Sequence, residues 1–119
     1  MYRNEILQKR VYDGKVIATL CRHTTFFRTS LQRPRRAIYK YTVNIQRTPL
    51  SYHGNIVEGF DMTINLGNSV HFDSIKDKAL QQYDRICEIL KNMVLAKPYE
   101  ISKQISDICN VKVSTKVYA

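Results

Sequence analysis

From residue 37 to residue 47 the chain alternates with a period of two. Tyr39, Tyr41, Val43 and Ile45 fall on one side, and Lys40, Thr42, Asn44 and Gln46 on the other. Successive side chains of a strand point to opposite faces, so this pattern predicts a half-buried strand. One strand alone buries nothing. The pattern therefore demands a sheet with one packed face and one wet, polar face, the usual arrangement of antiparallel sheets. Residues 55–66 repeat the alternation with Ile56, Phe60, Met62, Ile64 and Leu66. Glu58 interrupts that apolar side, Gly59 suggests a bulge, and Gly67-Asn68 ends the strand.

Two further arms, residues 4–12 and 15–23, flank Asp13-Gly14. Asp-Gly suits a two-residue hairpin turn, because both positions need positive φ. Residues 24–36 read as a loop, with Pro34 holding Arg33 extended. Thr48 to Gly54 reads as a turn. The period then changes. Ala79, Tyr83, Ile86, Leu90, Met93 and Val94 recur at steps of three and four, which predicts an amphipathic helix over 74–95 with Ser74 opening a capping box. Pro98 stops it and opens a shorter helix striped by Ile101, Ile105, Ile108 and Cys109, with Asn110 suited to a left-handed cap. Residues 111–118 alternate again and predict a final strand.

These elements predict one α+β domain over residues 1–119: a basic, strand-rich part at 1–67, two helices within 74–110, and a last strand at 111–118. The sheet has four to five antiparallel strands backed by one long and one short C-terminal helix. The last strand must pair either with an edge of this sheet or with a second subunit, so a homodimer through it is an open expectation. No apolar run approaches the length of a membrane span, and residues 1–10 lack the apolar block of a secretory signal. Three widely spaced cysteines, Cys21, Cys87 and Cys109, fit free thiols in a reducing, cytoplasmic compartment.

Charge is distributed unevenly. The net +9 lies entirely in residues 1–48, which hold eleven Lys/Arg and two acids; the remainder is balanced at eight of each sign. Residues 14–57 contain no acid at all. A solvated face would serve solubility with Lys as well as with Arg. Between residues 22 and 47, however, six of seven cations are Arg, whose planar fork matches phosphate and stacks on flat rings. This favours an anionic partner, nucleic acid first. The expected phosphate contacts are Arg22, Arg28, Arg33, Arg35, Arg36, Lys40 and Arg47, with Phe26 and Phe27 as stacking platforms. No RNP motif or zinc finger is present to specify a sequence.

Chemistry is less well supported. The chain carries no Walker loop, GxSxG, HExxH or GxGxxG. Cys21-x-His23 lacks the spacing of a metal site, so no metal or cofactor is expected. His53 and His71 flank one predicted strand and lie near its two ends, too far apart for one nuclease site in a monomer. A helix-turn-helix over 99–118 would end its second helix at Ala119 and would make a helix of a strand-like run. The expected function is therefore non-enzymatic binding of nucleic acid, single-stranded rather than duplex, or of another polyphosphate. Two alternatives stand beside it. Low Gly and abundant Ile, Asn, Lys and Tyr resemble short phage-encoded products, which implies an inhibitor of a host protein or a protein that sequesters nucleotides. The other is a metal-free nuclease.

Overall fold

The computed structural model describes residues 2–27, 36–70 and 72–118, with Arg36 described by its backbone. Five strands form one antiparallel sheet: β1 (Tyr2–Tyr12), β2 (Val16–Phe27), β3 (Arg36–Arg47), β6 (Gly59–Val70) and β7 (Val113–Tyr118), in the order β1-β2-β3-β6-β7. Between β3 and β6 the chain makes a small separate ribbon from β4 (Leu50–Tyr52) and β5 (Asn55–Val57). Two helices, α1 (Lys76–Lys91) and α2 (Pro98–Cys109), cover one face. The α+β architecture expected from the two periodicities is the one observed.

The core lies between the sheet and the helices. Val16, Ala18 and Leu20 from β2, Tyr41, Val43 and Ile45 from β3, and Phe60, Met62 and Ile64 from β6 meet Ala79, Tyr83, Ile86 and Leu90 of α1 and Ile101 and Ile105 of α2. All are buried, and each large apolar side chain contributes about 1.5–3 kcal/mol by leaving water. Tyr83 also donates its hydroxyl to the Ala18 carbonyl at 2.6 Å, which fastens α1 to β2.

The helices are shorter than the sheet they cover. Strands β2, β3 and β6 each have 12 residues and reach ~40 Å. Helix α1 has 16 residues and α2 has 12, so they reach ~24 and ~18 Å. One end of the sheet therefore extends past the helices, and the molecule measures 65 × 24 × 20 Å. At that end the sheet is still four strands wide, since Tyr2 pairs with Thr25 and Val70 with Ile38. β2 stops and β3 starts at that end.

Several local expectations hold. Asp13 and Gly14 have φ of 53° and 66°, and the Lys15 N–H closes the turn on the Tyr12 carbonyl at 2.9 Å. Pro98 occupies the first turn of α2, and Asn110 ends it in the left-handed conformation, φ 53°. The last strand pairs with β6 of its own chain, so it needs no second subunit to complete it.

Other expectations are corrected. The first helix begins at Lys76, not residue 74: Ile75 is its N-cap and Ser74 makes no capping bond. It ends at Lys91, not 95. The physical reason is Arg47, whose Nη1 donates to the carbonyls of Val94 at 3.0 Å and Ala96 at 2.7 Å and holds that turn out of the helix. The predicted strand 55–66 is two strands split at Glu58, whose carbonyl accepts Arg47 Nε at 2.9 Å and Nη2 at 2.6 Å. Gly59 marks no bulge. It is a close approach, since a Cβ there would lie 2.5 Å from Pro49 Cδ and 2.8 Å from the Arg47 carbonyl. The bulge falls between Asn65 and Gly67, where Gly67 takes φ 115° and lets β6 run on to Val70 instead of ending. Residues 24–27, expected as loop, continue β2. The rest of that expected loop, 28–35, lies outside the described residues. No described helix is long and apolar enough to cross a membrane.

Arg47→Met should leave three carbonyls without their donor and lower stability by about 3 kcal/mol. Gly59→Ala should cost about 1–3 kcal/mol by overpacking against Pro49. Urea unfolding followed by circular dichroism measures both, and an unchanged midpoint for either variant contradicts the packing described.

Candidate functional site

The face of the sheet turned away from the helices is open. Register pairing puts its side chains in cross-strand rows. Asn4, His23, Lys40 and Asn68 form one row, from β1 through β6. Cys21, Thr42 and Asn65 form the next, and Thr19, Asn44 and Thr63 the one after. Amides and hydroxyls dominate. Asn44 donates to Asp61 at 2.7 Å, towards the far end. Towards the overhanging end the face becomes aromatic: Tyr2 is 63% exposed and Phe27 is 43% exposed. Thr25, the register partner of Tyr2, is two residues from Phe27, so the two rings lie on neighbouring strands. Arg36 is the register partner of Phe27 and opens β3 immediately after the Arg-rich 28–35 segment.

The expected phosphate contacts divide sharply. Arg47 is 1% exposed, and its donors go to backbone carbonyls while its guanidinium stacks 4.7 Å from the Phe60 ring. Burial lowers its pKa from the usual guanidinium value. It cannot meet a ligand, and that expectation is corrected. Arg22 lies on the helix side. Its Nη1 donates to Asp73 at 2.8 Å, its Nε to Glu5 at 3.1 Å, and its Nη2 also contacts Glu5. Tyr41 donates its hydroxyl to the same Asp73 at 2.6 Å. Arg22 thus holds the 72–75 connection onto the sheet and is not presented to a ligand. Lys40 is exposed on the open face. Arg28, Arg33 and Arg35 lie outside the described residues.

Of the two stacking candidates, Phe27 is on the open face. Phe26 alternates to the helix side, where it is half-buried. Tyr39 and Tyr41 share that side, as their alternation with Val43 and Ile45 predicts. The remaining histidine that the structure describes, His53, sits in the β4–β5 turn at φ 50° against the Tyr52 ring. That ribbon follows Arg47, at the opposite end of β3 from the Arg36 end. His71 lies outside the described residues. Among the described residues no three His, Cys, Asp or Glu side chains gather as a metal site.

The sequence offers His23 only as a metal-ligand candidate in Cys21-x-His23, without the spacing of a metal site. The structure places it on the open face with both ring nitrogens engaged: Nδ1 with Asn4 Oδ1 at 2.6 Å and Nε2 with Thr42 Oγ1 at 2.9 Å. Its partial burial, and then the charge of Lys40, lower its pKa from 6.5. Tyr2, Asn4, Thr42 and Asn68 belong to no sequence motif, and the structure adds them to this face. The signal was the alternation itself, continued past His23 to Phe27.

A concavity of about 600 Å³ lies elsewhere, between the helices, lined by Arg85, Glu88, Ile89, Asn92, Met93, Gln104 and Ile108. Its charges are mixed and it is not built from the basic half of the chain. No protein-family model, curated protein or solved structure matches this chain.

Arg22 hydrogen bonds, more than any other cause, hold the Glu5 carboxyl below its ordinary value of 4.5. A carboxyl depressed in the folded state contributes stability above its unfolded pKa, and that contribution is lost as pH falls through the folded one. Urea midpoints should therefore drop as pH falls below about 4.5, and Glu5→Gln should flatten that part of the profile. An unchanged profile in the variant contradicts the Arg22–Glu5 pairing.

Proposed function

We propose that this protein binds single-stranded nucleic acid without chemistry, along the open sheet face at its overhanging end. The observation that carries the reading is the placement of exposed Phe27 and Tyr2 on this face, the face that also carries Lys40, where β2 stops and β3 starts. Single-strand binders combine stacking rings with a cationic track, because every base has a flat face and every nucleotide a phosphate. The width of the sheet supports a single strand over a duplex. A two-stranded ribbon fits a major groove, whereas this end is four strands wide. The cations that serve are Lys40, Arg28, Arg33, Arg35 and Arg36. Arg22 and Arg47 are engaged within the fold. Three free cysteines, two of them buried, suit a reducing cytoplasmic setting.

Fluorescence anisotropy with a labelled 20-mer oligouridylate, the matching oligodeoxynucleotide and a duplex tests the reading across a salt series. Single strands should bind more tightly than duplex, with affinity falling steeply as salt rises. Phe27→Ala should weaken binding about tenfold or more while leaving the salt slope unchanged. Replacing Arg33, Arg35 and Arg36 together by Gln should lower the slope by about 2, at ~0.7 per phosphate contact. Absence of binding at about 50 mM salt, or binding indifferent to both sets of changes, would falsify the proposal.

A further inference from the structure

We propose that His23 and Lys40 form a subsite for one phosphate group of a bound strand, and that His23 occupies it as the imidazolium. The inference rests on the nucleic-acid reading and identifies where on the open face a phosphodiester sits.

The starting observation is a pairing that is costly when both groups are charged and no anion lies between them. His23 and Lys40 are direct register partners on β2 and β3. Like charges placed opposite one another in a sheet repel. The groups that face His23 on this side are Asn4, flanked by Tyr2 and Ile6, from β1; Cys21 and Thr25 from its own strand; and Ile38, Lys40 and Thr42 from β3. Asn68 of β6 lies across Lys40. None is a carboxylate. Glu5 is engaged on the opposite face with Arg22, and Asp61 pairs with Gln46, six residues along from Lys40 or ~20 Å. Lys40 makes no ion pair among the described residues.

Partial burial and then the Lys40 charge favour the neutral imidazole in the free protein, and its hydrogen bonds accommodate that form. Asn4 Oδ1 can only accept, so His23 Nδ1 carries the proton and donates to it at 2.6 Å. Nε2 then has a lone pair and accepts the Thr42 hydroxyl at 2.9 Å. Both nitrogens are satisfied with no net charge beside Lys40. A phosphate oxygen arriving between His23 and Lys40 reverses the balance. Lys40 becomes a partner instead of a repulsive neighbour. A proton taken from solvent onto Nε2 makes a second N–H donor for the phosphate, and Thr42 turns its hydroxyl to donate to the same group. Asn4 continues to accept from Nδ1 in either state. Proton and phosphate therefore bind together, each raising the affinity for the other by the same factor. Because His23 titrates below 6.5 in the free protein, the linkage operates on the acid side of neutrality.

The first measurement is affinity for a labelled oligouridylate between pH 8 and pH 5.5 at fixed ionic strength. Binding should tighten by about tenfold over this range, up to the limit of tenfold per pH unit set by one titrating group. His23→Gln, which keeps a side chain able to bridge Asn4 and Thr42, should remove the pH dependence and retain the salt dependence. Lys40→Gln should weaken binding at every pH. His53→Gln, on the β4–β5 ribbon, should keep the full pH profile. The second measurement is the NMR titration of the His23 ring in the unmodified protein, with and without inorganic pyrophosphate, whose presence should raise its midpoint. Pyrophosphate that raises the midpoint while oligouridylate fails to bind supports the subsite and removes the nucleic-acid reading. Oligouridylate binding that is independent of pH, or whose pH dependence survives His23→Gln, overturns the subsite and leaves that reading standing. No binding of oligouridylate together with no effect of pyrophosphate overturns both.

Discussion

One guanidinium holds three separate parts of this fold together. Arg47 ends β3, and from there it reaches the Glu58 carbonyl before β6 and the Val94 and Ala96 carbonyls between the two helices. These segments carry backbone groups in irregular conformation inside the protein. Each would otherwise lack a partner, and a buried carbonyl without one costs free energy comparable to a lost hydrogen bond. Removing a charge of this size from water is itself expensive. Several carbonyl dipoles and the Phe60 ring offset that cost. The side chain thus ties together the residue that separates β5 from β6 and the segment that follows α1.

The other arginines of the basic half divide in a similar way. Arg10 pairs with Asp84 at 2.6 Å and lies over the Tyr83 ring, while Arg22 bridges Glu5 and Asp73. Each joins the sheet to the helical half of the chain, or to the segment leading into it. The acids that balance the basic residues thus lie partly in the other half of the sequence. A count of charge along the chain overstates what is displayed. Of the described cations expected to meet a ligand, Arg22 and Arg47 are engaged within the fold, and Lys40 is exposed on the open face.

Most of the fold was legible because the two hydrophobic periods were clean. Period two over 37–47 and the three-four spacing of Ala79, Tyr83, Ile86 and Leu90 identify strand and helix without tertiary information. Asp13-Gly14 and Asn110 were legible because their conformations favour few residues. The candidate site was less legible for a reason that lies in the same alternation. Arg47 shares parity with Tyr41, Val43 and Ile45, and Arg22 shares parity with Val16, Ala18 and Leu20. Parity alone points both away from solvent, and His23 and Lys40 towards it. Residue type outweighed position in reading Arg as a phosphate ligand. The limits of α1 and the division of β6 from β5 were not legible at all, because both depend on a side chain from a third element.

The mismatch in length between strands and helices has a mechanical consequence. Where α1 and α2 back the sheet, its backbone hydrogen bonds are shielded by a second layer and break only when the whole domain opens. Beyond the helices, past the 72–75 crossing, the buried residues of that face are Thr24, Ala37 and Ser69, all small, so opening it exposes less apolar surface. Local opening there is correspondingly cheaper. The two ends of one sheet thus differ in the cost of opening, and the end where β2 stops and β3 starts has the lower one.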